Sequence, residues 1–196
     1  MTDKTTNWKI GTLNVKGINK DEKFDDMLDW TNQECLDITI VMETKLHPSN
    51  AYHNFTSKNK KYISYWTIDP NHTKGSGVGI IINKNTLRKH TYSRSDVPGR
   101  LSQVRLKFKG KITITITGVY GPADKSDKKT KDAIIRHIKN HIKNEQNCYH
   151  IIAGDLNEDP ENYPTHAIID TILSIGLCKL TTDNAHTWSN SNGIER

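Results

Sequence analysis

The sequence predicts an α/β domain of two packed β-sheets covered by helices. Three observations carry this. Short β-branched runs outnumber helical stretches, so strands supply most of the order. Three stretches with apolar residues at helical spacing are interleaved among those runs, and each has one apolar face to bury. The 196 residues contain no repeat, low-complexity tract or linker, so residues 1–196 read as a single domain.

The elements follow in order. Residues 8–15 open with a β-branched strand. Residues 21–36 form a helix, with Phe24, Met27, Leu28, Thr31 and Cys35 on one stripe. Residues 38–42 are a short apolar run, the mark of a strand buried on both faces. Residues 44–60 are polar loop, and 62–68 form another strand. In 75–83, Gly75-Ser76-Gly77 leads into the buried run Val78-Gly79-Ile80-Ile81-Ile82. Strands follow at 87–92, 101–108 and 112–120. In the last, Ile112, Ile114 and Ile116 alternate with Thr113, Thr115 and Thr117, a period of two. Lys109-Gly110 between two such runs signals a hairpin. Residues 128–145 give the clearest helix, striped by Ile134, Ile135, Ile138 and Ile142. Residues 149–153 are a strand that runs into Gly154-Asp155. Residues 165–174 are helical, with Ile168, Ile169, Ile172 and Leu173 inward.

Composition narrows the class. Hydrophobic residues make up 34% and mean hydropathy is −0.71, polar for a compact fold yet too strongly patterned for disorder. The count of 28 Lys+Arg against 22 Asp+Glu gives a net charge of +6, which favours a polyanionic partner. Cys35, Cys148 and Cys178 lie far apart, with no C-x-x-C pair. They read as buried thiols in a reducing compartment, not as a disulfide frame or zinc site. The start is polar, and no apolar run is long enough to span a membrane. These features predict a soluble, intracellular protein, nuclear or cytoplasmic.

The chemistry sits at strand ends. Thr12-Leu13-Asn14-Val15, Met42-Glu43-Thr44, Val119-Tyr120-Gly121-Pro122 and Ala153-Gly154-Asp155-Leu156-Asn157 each place polar residues just after an apolar strand. In α/β folds ligands bind there. Glu43, Asp155, Asn14 and Asn157 offer the oxygen donors that hard divalent cations take. The order N…E…Y-x-P…G-D-x-N is similar to that of the exonuclease–endonuclease–phosphatase family. That family includes abasic-site endonucleases, deoxyribonuclease I and the endonuclease domains of non-LTR retrotransposons. Gly75-Ser76-Gly77-Val78-Gly79 resembles its Gly-rich central strand. His186-Thr187-Trp188-Ser189 resembles the segment before its final Asp motif. The resemblance covers residues 9–196.

It implies a four-layer α/β sandwich with mainly antiparallel sheets, incomplete at the C-terminus. It implies Mg2+-dependent hydrolysis of DNA phosphodiesters, with Mn2+ as an alternative ion. Glu43 would be the principal metal ligand, with Asn14 supporting the metal and its water. Asp155 would orient or deprotonate the attacking water, Asn157 would hold phosphate or that water, and Tyr120 would donate to a phosphate oxygen. Lys16, Lys45, Arg100 and Trp188 suit a DNA duplex, cations positioning phosphates and the indole stacking.

Several features depart from the family pattern. An Asp on a strand and then an Asp-His pair are expected after Trp188, but the sequence runs only to Gly193-Ile194-Glu195-Arg196, and all nine histidines lie upstream. A truncated, impaired enzyme is the expectation, with a reverse transcriptase domain fused downstream in the full-length element. Lys16 stands where relatives carry Asp or Asn, and its ammonium cannot ligate a metal. Ala123 stands where abasic endonucleases carry Asn, which leaves the retroelement type closer. His137 and His141, four apart on a predicted helix, lack the Glu of H-E-x-x-H and read as flanking the Ile stripe. Lys128, Lys129 and Lys131 read as solvated. Two other functions stand beside the nuclease: a non-catalytic nucleic-acid-binding remnant, and a phosphoinositide or sphingolipid phosphodiesterase. The acidic Glu158-Asp159-Pro160 and the basic net charge argue against the phosphoinositide.

Overall fold

The computed structural model describes residues 7–47, 60–71, 75–86, 90–108, 111–124, 126–142, 148–158 and 167–178. β1 (Ile10–Asn14), α1 (Asp21–Gln33) and β2 (Ile38–Met42) form a β–α–β unit with β1 and β2 parallel. β3 (Tyr62–Thr67) and β4 (Val78–Asn83) complete a sheet of order β1-β2-β4-β3, antiparallel at both remaining pairings. β5 (His90–Val97), β6 (Leu101–Lys107), β7 (Thr113–Tyr120) and β8 (Cys148–Asp155) make the second sheet in that order. There β7, α2 (Lys128–His141) and β8 repeat the β–α–β unit, with β7 and β8 parallel and the other pairings antiparallel. α3 (Ala167–Ser174) closes the described chain.

Alternation along β2 and β4 divides the core. Ile38, Ile40, Met42, Ile80 and Ile82 face the second sheet and pack on Val104, Leu106 and Ile116. Val41 and Ile81 point the other way, onto Phe24, Met27 and Leu28 of α1. Beyond the second sheet, Leu101 and Val119 pack on Ile134 and Ile138 of α2 and Ile168 of α3. The layers are therefore helix, sheet, sheet, helices, the architecture expected. Full burial of each such side chain supplies about 1.5–3 kcal/mol. The alternation in β7 has a different meaning from the one its sequence suggests. Thr115 and Thr117 are buried as well as Ile116, because α2 and α3 cover that sheet, and Thr117 accepts from Gln103 Nε2 at 3.1 Å.

Element ends differ from the sequence pattern for local reasons. α1 stops at Gln33 because Cys35 adopts φ +52°, and the N–H groups of Cys35 and Leu36 close on the Asn32 and Thr31 carbonyls at 3.0 and 3.1 Å. That double bond is the Schellman stop, usually made by glycine. It leaves Cys35 exposed; Cys178 is exposed and Cys148 only half-buried, so the cysteines are not the buried thiols expected. β5 extends through the polar residues Ser93 to Asp96 as far as the buried Val97, which an edge strand with bulges tolerates. Residues 87–89, the hairpin expected at 109–110 and residues 143–145 lie outside the described residues. α2 begins at an Asp127 cap that accepts the Thr130 N–H at 3.0 Å. Leu173, expected inward on α3, is 48% exposed, and Thr171 takes the buried position one turn after Ile168. Lys131 is not solvated: its Nζ lies 3.2 Å from the Glu158 carboxylate, which is 1% exposed. That carboxylate accepts the Ile168 and Ile169 N–H groups at 3.1 and 3.0 Å and so caps α3. No described helix is long and apolar enough to cross a membrane.

The sheet–sheet core sets stability. Ile116→Ala should cost about 2–5 kcal/mol, and Leu173→Ala within about 0.5 kcal/mol. Urea unfolding of the two variants checks this; equal losses would contradict the assigned core.

Candidate active site

The four parallel strands of the two β–α–β units end on the same side of the molecule, and their last residues meet. Asn14 pairs with Met42 and Tyr120 with Asp155 in register, while β8 also lies near β1 and β2. The residues after these ends therefore form one rim.

On the first sheet the rim is a clamped turn. Glu43 and Lys45 take φ +57° and +53°, the left-handed region that costs a side-chain-bearing residue about 1–2 kcal/mol. The cost is borne because their neighbours are pinned. The Thr44 and Lys45 N–H groups donate to the Gly77 and Ser76 carbonyls at 3.2 and 3.0 Å, and Ile18 N–H donates to the Thr44 carbonyl at 3.0 Å. Gly77 sits at φ +102°, and a Cβ there would lie 2.1 Å from Thr44 Oγ1, so only glycine lets the strands close on the turn. At the end of β1, the Asn14 carboxamide oxygen accepts the Lys16 N–H at 3.1 Å.

On the second sheet, β7 and β8 finish together. Gly121 N–H donates to the Asp155 carbonyl at 2.7 Å, and Asn157 Nδ2 returns a bond to the Gly121 carbonyl at 2.8 Å. Asn157, at φ +50°, also donates its N–H to Asp155 Oδ1 at 3.0 Å. Gly154 has φ +141°, and a Cβ would meet the Val119 carbonyl oxygen at 2.0 Å. Its glycine is what brings Asp155 beside Tyr120. Arg100 stacks its guanidinium 5.0 Å from the Tyr120 ring centre.

Electrostatics join the halves. Tyr120 is 6% exposed, and burial raises its phenol above the usual value. The Glu43 carboxylate raises it further, both by charge and by accepting its hydrogen bond; Asp155 adds to this and Arg100 opposes it. Tyr120 therefore remains an O–H donor at neutral pH. Lys45 Nζ lies 2.8 Å from Glu43 Oε1. Glu43, Tyr120, Asp155, Arg100 and Asn157 are thus brought together from distant sequence positions, with Lys45 among them. Asn14 stands on the adjacent strand. Lys16 is exposed at φ +48° and contacts Asn14 through its backbone. Trp188 lies outside the described residues. Gly99, whose carbonyl accepts the Gly77 N–H at 2.8 Å and so completes the clamp, carried no signal in the sequence.

The model of the Endonuclease/Exonuclease/phosphatase family matches residues 11–196, and the chain belongs to that family. No curated protein matches the sequence. Among solved structures the chain is similar to the AP endonuclease LMAP from Leishmania major, at 17% identity and TM-score 0.60, covering 88% of this chain and 69% of that one. It is similar to the Xenopus laevis APE2 catalytic domain, at 20% identity and TM-score 0.54, covering 80% and 63%. The human Nocturnin catalytic domain gives 15% identity and TM-score 0.53, covering 76% and 63%. At these identities the likeness is one of fold, and the chain spans about two thirds of the length of these structures.

A divalent cation fits the residues present. The Glu43 carboxylate already holds a cationic group, the Lys45 ammonium, and Asn14 and Asp155 add oxygen donors at neighbouring strand ends. Hard oxygen donors of this kind suit Mg2+ or Mn2+ rather than a thiophilic ion.

The clamp predicts a sharp response at Gly77. Gly77→Ala should push Thr44 away and destabilise the domain by about 1–3 kcal/mol, read as a lower urea midpoint. An unchanged midpoint would mean that the turn is not held in this way.

Proposed function

We propose that the chain hydrolyses DNA phosphodiester bonds with Mg2+, for which Mn2+ can substitute. The observation that carries this is the meeting of Glu43, Asp155 and the Tyr120 hydroxyl at one rim that also bears Arg100 and Lys45. A bound Mg2+ would be held by Glu43, with Asn14 beside it, and would supply charge compensation to the phosphate and a more acidic water. The chain's own residues do the rest. Asp155, its Oδ1 fixed by the Asn157 N–H, orients the attacking water and accepts its proton. Tyr120, kept protonated, turns its O–H from Glu43 to a non-bridging phosphate oxygen. Arg100 and Lys16 position the backbone phosphates. Asn157 donates from its side-chain Nδ2 to the Gly121 carbonyl, so its first role is to hold the β7 and β8 ends together.

The AP endonucleases among the fold neighbours support a nuclease reading; ANGEL2, a 2′,3′-cyclic phosphatase, marks a second phosphoester chemistry on this fold. Glu158 no longer weighs against a phosphoinositide, because its carboxylate is buried in the α3 cap. The net charge of +6 remains the feature that favours nucleic acid.

Nicking of supercoiled plasmid in Mg2+ should fall by about 100-fold or more in Glu43→Gln and in Asp155→Asn. Nicking untouched by either would contradict the assignment. Affinity for a labelled duplex should drop steeply with salt, and Arg100→Gln should reduce the slope by about one. Steep binding without nicking would favour the non-catalytic remnant. A flat salt dependence, or preferential hydrolysis of a phosphoinositide, would overturn the DNA reading.

A further inference from the structure

A second cluster of ligand-type side chains stands where α2 lies against β5. His137 and His141 occupy successive turns of α2, and Asp96 precedes the core residue Val97 on β5. His137 Nδ1 lies 2.8 Å from Asp96 Oδ2, and His141 Nε2 lies 3.3 Å from the same oxygen. One donor atom from each residue falls within 4.8 Å of the other two. The imidazole centres are 4.7 Å apart and tilted by 51°, so the rings converge rather than stack. The Asp is what the sequence could not supply: two histidines four apart lack a third ligand until β5 is brought beside the helix.

We propose that Asp96, His137 and His141 form a binding site for a borderline divalent ion, Zn2+ first, separate from the catalytic rim. Two imidazoles and one carboxylate are a donor set that Zn2+ takes, with a fourth position left for water. Donors around a four-coordinate ion with bonds of about 2.0–2.1 Å stand roughly 3.3–3.4 Å apart, so the 2.8 and 3.3 Å separations need little adjustment. His137 is rigidly placed: its side chain is 2% exposed, and its Nε2 is buried without a hydrogen-bond partner. Packing and the Nδ1 bond to Asp96 orient the ring before an ion arrives. Arg94 Nε donates to Asp96 Oδ1 at 2.6 Å, which fixes the carboxylate and leaves Oδ2 turned to the histidines.

One contact opposes binding. Arg94 Nη1 lies 3.1 Å from His141 Nδ1. An imidazole that ligates through Nε2 carries its proton on Nδ1, so this contact must open. The Arg94 side chain is about one-third exposed (34%), so its guanidinium can turn Nη1 away from His141 while Nε stays on Asp96 Oδ1.

The site is remote from the catalytic rim. Asp127, the α2 cap, lies within the field of Arg100, whereas His137 is ten residues further along the helix, about 15 Å at 1.5 Å per residue. An ion there would staple the last turns of α2 to the edge strand β5. The ligand is the ion itself, and its consequence is stability.

The test uses the full 196-residue chain, freed of metal by chelator and dialysed, then titrated with Co2+ as a spectroscopic substitute for Zn2+. One equivalent should give the strong visible absorption of a four-coordinate ion. Excess Zn2+ should bleach it and should raise the urea midpoint. His141→Gln, whose side chain is 27% exposed and therefore leaves the core intact, and Asp96→Asn should weaken Co2+ binding at least about tenfold and abolish the zinc effect on stability. Glu43→Gln, at the other site, should leave the spectrum unchanged. Only the weak absorption of a six-coordinate ion, or the same titration in His141→Gln, would overturn the proposal and reduce the cluster to a hydrogen-bonded network.

Discussion

The backbone hydrogen bond from Gly77 N–H to the Gly99 carbonyl, 2.8 Å long, carries the rim of one sheet across to the other. From Gly77 the connection runs back to Thr44 and so to Glu43. From Gly99 it runs through Arg100, whose carbonyl accepts the Tyr120 N–H at 2.8 Å, and on by Gly121 to Asp155. Thr67 Oγ1 holds the same corner, accepting the Gly99 N–H at 2.9 Å and meeting the Ser95 hydroxyl. Two sheets packed only through apolar side chains could slide by fractions of an ångström. Directional bonds at the rim remove that freedom where side-chain placement matters.

That circuit explains why strained and charged residues are tolerated together. Glu43, Lys45 and Asn157 sit in left-handed conformations, and Glu43 and Asp155 place two carboxylates around one phenol. Each choice is unfavourable taken alone. Neighbouring bonds over-determine the geometry, and the cations Lys45 and Arg100 offset the charge. Strain gathered at strand ends, away from the apolar layers, is where a binding site would concentrate it.

Much of this was legible in the sequence because it follows simple periods. The apolar run 38–42 and the Ile stripe of α2 name core residues by pattern alone. The polar residues after apolar strands name Glu43, Tyr120, Asp155 and Asn157, and the structure gathers them with Arg100. What escaped depends on tertiary neighbours. Glu158 looks like a rim acid but caps α3. Cys35 looks like a buried thiol but terminates α1 in a glycine-like conformation. β5 carries no apolar pattern over its second half, since an edge strand is held by backbone bonds rather than by burial. The Asp96–His137–His141 group spans two elements, with Asp96 and His137 separated by 41 positions, a distance at which spacing rules are silent.

In the proposed reaction the rim is a single divalent-cation site built on Glu43. The most direct measurement is an anomalous difference map from crystals soaked in Mn2+. A peak bonded to the Glu43 carboxylate at about 2.1–2.2 Å is expected, with the Lys45 ammonium displaced from it. A map with no peak within bonding reach of Glu43, and the Glu43–Lys45 ion pair intact, would contradict it.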